Sequence, residues 1–321
     1  MNSGTSDFKF VNRPTFPVLI DIELTNTCNF RCRMCETGLG TSARPKGLMS
    51  EAVFHKILRE ASSVRPQPAL RFIRWGEPTL HPYFLGWLVE AKSMGFPVHF
   101  NTNGYTLSEN MMRTIVKNEI DSIKFSFQGA DAASYAEMRG IDFFEALFGK
   151  ISSLTAIRGE RMVPFIQVST TLTDETPEQI EYFKMKASLA DFYNIGKTDM
   201  RRVKIERLKI QEADQVKFLL ERENPDSRIK PKSCSEVFAK LSIDWDGSVT
   251  ACCGDNNREL KIGDLNSESL SEIFHSEAML RLQTALSQND FGVSALCLNC
   301  VETYPAFDRR ASSSGASTMS A

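Results

Sequence analysis

The chain has 321 residues, 42% of them apolar and 24% charged, with a formal net charge of −2 at pH 7. That length accommodates one large domain and a small one around a real core, and the near-neutral charge excludes the basic footprint of a nucleic-acid or anionic-membrane binder. No apolar run is long enough to span a bilayer and the N-terminus holds no apolar signal segment, so the expectation is a cytoplasmic protein without a disulfide framework.

Residues 1–16 read as an N-terminal tail. Strand-like runs then alternate with helical patterns. The strands are 17–25, 70–75, 98–101, 122–127, 165–172 and, more weakly, 192–196. The helices are 50–63, 83–94, 108–117, 131–138 with 142–157, and 177–189. Such alternation implies parallel pairing through right-handed crossovers. Six βα units are too few for a closed eight-stranded barrel. The expected fold is therefore α/β, an open (β/α)6 TIM-like partial barrel over residues 17–220. Residues 221–233 are polar and Pro-containing and read as a linker. Residues 234–305 form a compact cysteine-bearing module, with a hairpin turn at Asp246-Gly247 between strands 241–245 and 248–251 and a helix near 270–286. Residues 306–321 are rich in Ser, Ala and Gly and read as a disordered tail.

The eight cysteines fall into two groups. Cys28, Cys32 and Cys35 follow the first strand; Cys234, Cys252, Cys253, Cys297 and Cys300 lie in the module. The clustering suggests two metal sites. Three thiolates within eight residues can wrap one corner of a [4Fe–4S] cubane, which ordinarily takes four Cys ligands. Three ligands leave one iron open, as catalytic metal sites do. A zinc knuckle would need a fourth ligand nearby, and no His or Cys follows Cys35 before His55.

Cys28-x3-Cys32-x2-Cys35 after the first strand of a βα barrel resembles the radical S-adenosylmethionine (SAM) superfamily. The resemblance implies that the open iron binds the amino and carboxylate groups of SAM, and that an electron from the cluster releases a 5′-deoxyadenosyl radical. Further motifs fall in the family's order along successive strand ends. Arg74-Trp75-Gly76-Glu77-Pro78 resembles the Gly-Gly-Glu-Pro motif that holds the SAM amino group, with Trp75 where a Gly is usual. Asn103-Gly104 ends the third strand, Ser126 the fourth, and Arg139 resembles the arginine that pairs with the SAM carboxylate. Met34 stands before the third cysteine, where an aromatic adenine contact is common. The module resembles the SPASM or twitch extension. It lacks the three further cysteines of a two-cluster module, so the resemblance implies one auxiliary [4Fe–4S] cluster on Cys234, Cys252, Cys297 and Cys300. The Gly247-x4-Cys252 spacing favours Cys252 over Cys253, and strand alternation would turn Cys253 away. A structural zinc on the same four thiolates is the alternative.

A fully ligated auxiliary cluster has no free iron for substrate, which points to electron transfer. The first functional reading is a dehydrogenase acting on a sugar- or aminocyclitol-like small molecule, with a flavodoxin or ferredoxin as reducing partner and neither nucleic acid nor membrane as a partner. The second is a peptide- or protein-modifying maturase. Against it stand the short stretch before the first strand, with no room for a leader-binding domain, and the missing second auxiliary cluster. The third is a two-cluster electron carrier, against which the ordered SAM motifs count. Asp244, Asp246 and Asp255 are candidate bases, though an aspartate at a turn commonly serves the turn.

Overall fold

The central strand runs alternate buried aliphatic or aromatic residues with polar ones, and that alternation decides which face meets the helices. In the computed structural model, which describes residues 13–198, 208–209, 213–218 and 234–303, β1 spans Leu19–Ile22. There follow α1 (Glu36–Leu39), α2 (Glu51–Ser62), β2 (Ala69–Phe72), α3 (Phe84–Ser93), β3 (Val98–Thr102), α4 (Glu109–Lys117), β4 (Ser122–Ser126), α5 (Ala132–Arg139), α6 (Phe144–Arg158), β5 (Phe165–Leu172), α7 (Pro177–Ala187) and β6 (Phe192–Lys197). The helix starts are set by caps: Ser50, Ser108, Asp131 and Thr176 each accept from a backbone N–H in the first turn. The C-terminal part contributes α8 (Glu236–Ala239), β7 (Lys240–Ile243), β8 (Ser248–Thr250), β9 (Lys261–Asp264), α9 (Leu270–Phe274), α10 (Glu277–Ser287) and α11 (Ala295–Thr303). The single helix expected at 270–286 is thus two. Ser276 accepts from Met279 N and starts α10 afresh after α9 has ended. The N-terminal tail up to residue 12, the linker at 221–233 and the tail at 306–321 lie outside the described residues.

All nine strands join one sheet in the order β6-β5-β4-β3-β2-β1-β7-β8-β9. β1 to β6 are parallel neighbours and the sheet does not close, as a partial barrel requires. β7 adds to the other side of β1, also in parallel, from Leu19 opposite Lys240 to Ile22 opposite Ile243. β8 and β9 continue antiparallel. The cysteine-bearing module therefore shares the barrel's sheet. Its hairpin is where the sequence places it, but its first strand pairs with the first strand of the chain.

Toward the helices the sheet presents Ile20, Ile22, Leu70, Phe72, Phe100, Ile123, Phe125, Ile166 and Val168, all fully buried. Phe127, Phe144, Phe148 and Phe183 pack mainly edge-on beneath α5, α6 and α7. Phe54 stacks on Trp87 at 4.2 Å and joins α2 to α3. Each such ring pair contributes about 0.5–1.5 kcal/mol beyond its buried area. Among the described residues no helix is long and apolar enough to cross a membrane.

Where β1 and β7 end, the core turns ionic. Arg44 holds Glu23 in a two-pronged pair at 2.6 and 2.8 Å and reaches Asp244 at 3.2 Å. Arg74 meets Asp244 at 2.8 Å and Arg258 meets it at 2.7 Å. Glu23, Arg74 and Asp244 have fully buried side chains. Removing one partner of a buried ion pair costs about 3–5 kcal/mol, because the opposite charge stays buried. Asp244→Ala leaves Arg74 without its only carboxylate among the described residues. We expect it to lower stability by about 3–5 kcal/mol in anaerobic urea unfolding. A variant as stable as the wild type would remove this cluster from the account of how the two halves are joined.

Candidate active site

The loop between β1 and α1 is fixed at its root. Thr25 Oγ1 donates to Gly47 O at 2.8 Å, while Asn26 donates to Pro45 O and accepts from Gly47 N at 2.8 and 2.9 Å. From there the chain carries Cys28, Cys32 and Cys35 close enough to feel one another's charge. Burial pushes the Cys28 thiol up to about 12; a bond from Phe30 N–H opposes this, and Glu77, Cys32 and Cys35 add to it. Burial and then Cys32 likewise raise Cys35, against N–H groups of Gly38 and Thr37 and the charge of Arg139. α1 begins right after Cys35 and lies so close to the loop that a Cβ on Gly38 would sit 2.7 Å from Cys32 N. Met34 packs beside Leu39 and Met138, an apolar surround.

The motifs at the strand ends close around this loop. A Cβ on Gly76 would lie 1.9 Å from Thr25 O, so only glycine permits the approach. Glu77 N donates to Thr27 O at 2.9 Å. The Glu77 carboxylate is buried and accepts from Thr79 N, Thr79 Oγ1, Thr102 Oγ1 and Asn103 N at 3.3, 2.6, 2.8 and 2.7 Å. Burial holds this carboxyl above the usual range, and those four bonds oppose the shift. The sequence reading gives Glu77 an ammonium; the structure shows its acceptor positions engaged within the protein, tying the end of β2 to the end of β3. Asn103 Nδ2 donates to Asn29 Oδ1 at 2.8 Å and lies 3.8 Å from Cys28 Sγ. Arg139, the last residue of α5, donates to Cys32 Sγ at 3.5 Å and to the carbonyl of Ser126. Its guanidinium sits 5.8 Å from the Phe30 ring and 5.6 Å from Tyr135. Cys28, Cys32, Cys35, Glu77, Asn103, Ser126 and Arg139 thus lie together around the β1–α1 loop.

In the module, Cys297 and Cys300 stand one turn apart on α11. Burial raises the Cys297 thiol to about 11, with Cys234 and Cys300 next among the causes, which brings those three together. Cys252 and Cys253 follow β8. Cys252 Sγ accepts from Gly254 N at 3.3 Å, and Lys240 Nζ lies 3.4 Å from Cys253 Sγ. A hydrogen bond between these two thiols raises Cys252 and lowers Cys253 to about 5; burial opposes the latter and Lys240 assists it. Cys253 Sγ faces Lys240 and Glu236, whereas Cys252 Sγ faces Gly254 N. β8 ends at Thr250, so strand alternation no longer governs the next residues.

Arg74 makes contacts across the molecule that the motif alone did not single out. Its backbone is left-handed, φ 102°, at a non-glycine position. Its side chain crosses to the module and donates to Thr250 Oγ1, Cys252 O and Asp255 O at 3.2, 3.5 and 3.1 Å. The three candidate bases are occupied. Asp244 is gripped by arginines, Asp246 accepts from Ser248 N and Arg258, and Asp255 accepts from Glu259 N and Leu260 N.

The donor chemistry fits iron–sulfur clusters. Thiols held neutral by burial ionise when a cation is supplied, and the N–H donors and Arg139 around Cys28, Cys32 and Cys35 offset the resulting charge. Among the described residues no three His, Cys, Asp or Glu side chains converge as a single ion needs. A cubane spreads its ligands wider, one thiolate to each iron.

The Radical SAM superfamily model matches residues 22–187, and an iron–sulfur cluster-binding domain model, SPASM, matches 234–301. The chain is 30% identical over 161 residues to the tungsten-containing aldehyde ferredoxin oxidoreductase cofactor-modifying protein of Pyrococcus furiosus, a match covering 50% of this chain and 45% of that protein. It is 21% identical over 294 residues to the S-adenosyl-L-methionine-dependent 2-deoxy-scyllo-inosamine dehydrogenase of Niallia circulans, covering 88% of this chain and 92% of that protein. The solved structure of anSMEcpe with bound AdoMet superposes with a TM-score of 0.65 at 15% identity, over 90% of this chain and 86% of that one, a likeness of fold.

With two cubanes, anaerobically reconstituted protein is expected to hold about eight irons per chain, and Cys32→Ala about four with the module's absorbance retained. Iron near four in the wild type, or tightly bound zinc, would overturn the two-cluster assignment.

Proposed function

The chain belongs to the radical SAM superfamily and carries a C-terminal SPASM domain, and on that premise we propose that it is an oxidoreductase that dehydrogenates a hydroxyl group on a sugar- or aminocyclitol-like small molecule. Its cofactors are [4Fe–4S] clusters and SAM. We assign Cys28, Cys32 and Cys35 to the SAM-binding cluster, and Met34, Gly76, Glu77, Asn103, Ser126 and Arg139 to SAM. Glu77 serves by fixing the loop and Asn103, and Arg139 by placing a cation beside the methionyl end. Cys234, Cys252, Cys297 and Cys300 hold the auxiliary cluster. A flavodoxin or ferredoxin supplies the reducing electron.

A secondary alcohol becomes a ketone by losing a hydrogen atom, a proton and an electron. When bound, SAM at its cluster supplies a radical that takes the hydrogen atom, and the auxiliary cluster supplies an electron acceptor. The chain's own residues set the distance between the two. One observation carries the reading: through Arg74, the loop bearing Cys252 is bonded directly to the loop assigned to SAM. Four thiolates on the auxiliary cluster leave no iron for substrate, which favours electron transfer.

Cys297→Ala tests this. With reduced protein, SAM and a panel of ring alcohols that includes 2-deoxy-scyllo-inosamine, a sugar acid and a sugar phosphate, we expect 5′-deoxyadenosine release to persist while ketone formation from the compound the wild type oxidises falls at least tenfold. A circular-dichroism melt accompanies the assay, because metal binding stabilises small modules. Full ketone yield from a folded Cys297→Ala protein would remove the electron-acceptor role and favour a redox-neutral reaction.

A further inference from the structure

The concave face of the sheet is polar. Asp21, Arg71, His99, Lys124 and Gln167 stand at the strand positions that alternate with the apolar core residues. A cavity of about 340 Å³ opens at the starting ends of β2, β3 and β4, beside Ala69, Pro97 and Asp121, and reaches Arg71, His99, Lys124 and Gln167 within the sheet. Small-molecule sites are commonly of this size.

The charges around it do not cancel. Arg71 Nε donates to Asp21 Oδ1 at 2.7 Å, which leaves both terminal guanidinium nitrogens without a hydrogen bond among the described residues. Lys240 is answered by Glu236, by Asp21 at 3.6 Å and by the Cys253 sulfur. Asp121 is taken by Lys92 at 2.6 Å and by Val98 N at 2.8 Å. His99 bonds through both nitrogens, to Ser122 Oγ at 2.7 Å and Asn101 Oδ1 at 2.8 Å, and burial lowers it to about 4, so it stays neutral at pH 7. Lys124 makes no hydrogen bond or ion pair among the described residues. Burial and then the Arg71 charge pull its ammonium below the ordinary range, a cost that a bound anion would reverse. Lys124 is half-buried, and the charges of Cys253 and Asp21 oppose the shift without a direct bond to it; a partly desolvated cation so placed is favoured by an anion that comes to it.

We propose that this cavity is the anionic subsite of the substrate, in which Lys124 and the terminal nitrogens of Arg71 receive a carboxylate or phosphate group, with Gln167 as a further donor. The inference rests on the reading above that a small molecule is oxidised inside the barrel. Lys124 lies two residues before Ser126 on the same face of β4, a rise of about 7 Å. An acid group held there leaves the rest of a six-carbon ring to extend toward the level assigned to SAM. Among ring alcohols, the subsite selects sugar acids or sugar phosphates over aminocyclitols, whose ammonium would face Lys124.

The test needs no turnover. Reconstituted protein with SAM is titrated calorimetrically, at low ionic strength, with inorganic phosphate and separately with glucuronate. The wild type is expected to bind at least one of them saturably, and Lys124→Gln and Arg71→Gln at least tenfold more weakly. Lys124→Arg retains binding, and the circular-dichroism melt of each variant is compared with the wild type so that misfolding is not mistaken for a lost ligand. Tighter binding of phosphate than of glucuronate identifies a sugar phosphate, and the reverse a sugar acid. No saturable binding of either by the wild type, or equal binding by folded Lys124→Gln, overturns the subsite. Because the readout is binding alone, Cys297→Ala can fail to block oxidation while the subsite stands, and the subsite can fail while the electron-acceptor role stands.

Discussion

The structure depends on the seam where β1 carries a strand on each side. β2 pairs with one edge of β1 and β7 with the other, both in parallel. Parallel pairing cannot be made by a tight hairpin and needs a long crossover. Here the whole barrel intervenes between β1 and β7. At the end of that seam, Glu23 just beyond β1 and Asp244 just beyond β7 are joined by Arg44, which touches both. The carboxylates would be costly to bury alone, and the arginines likewise. Each sign makes the other tolerable, and the geometry of the two halves follows from where those charges meet.

Further contacts hold the same relation. Lys56 on α2 donates to Glu268 O at 2.9 Å, and Leu270 N donates to Glu60 at 2.7 Å. Asn256 accepts from Arg44 at 3.0 Å and bonds Glu36 on α1, the helix that follows Cys35. Both cysteine groups are thus set on one rigid frame. Arg74 completes it: a strained backbone at the end of β2 aims a buried guanidinium at three groups of the Cys252 loop. Strain of this kind persists only where the surroundings over-determine it, and here they do.

The two faces of the sheet divide the labour. The helix-facing side is aliphatic and aromatic and supplies the stability. The concave side is charged from Asp21 through Lys124, unlike the branched apolar filling of many closed barrels. On that side Asp21 is buried in ion pairs with Arg71 and Lys240, while Arg71, His99 and Lys124 stay half-buried. The neutral overall composition conceals this, because a net charge of −2 averages a local excess of cations with acids elsewhere.

The sequence by itself determined the superfamily, the order of the SAM motifs, the partial barrel and the presence of a cysteine-bearing module. These are local properties: cysteine spacing, strand alternation, and capping residues such as Ser50 and Thr176 each act within a few residues. The polar concave face was also latent in the alternation of Asp21, Arg71, His99 and Lys124, though pattern alone did not show which charges would lack partners. Only the tertiary structure decided that β7 joins β1, that Arg74 reaches Asp255 O from 181 residues away, that Lys240 lies beside Cys253, and that Glu77 is bonded inward. Those outcomes depend on which buried charges and strand edges meet after the chain has crossed the whole barrel, and no short-range pattern encodes a pairing made at that distance.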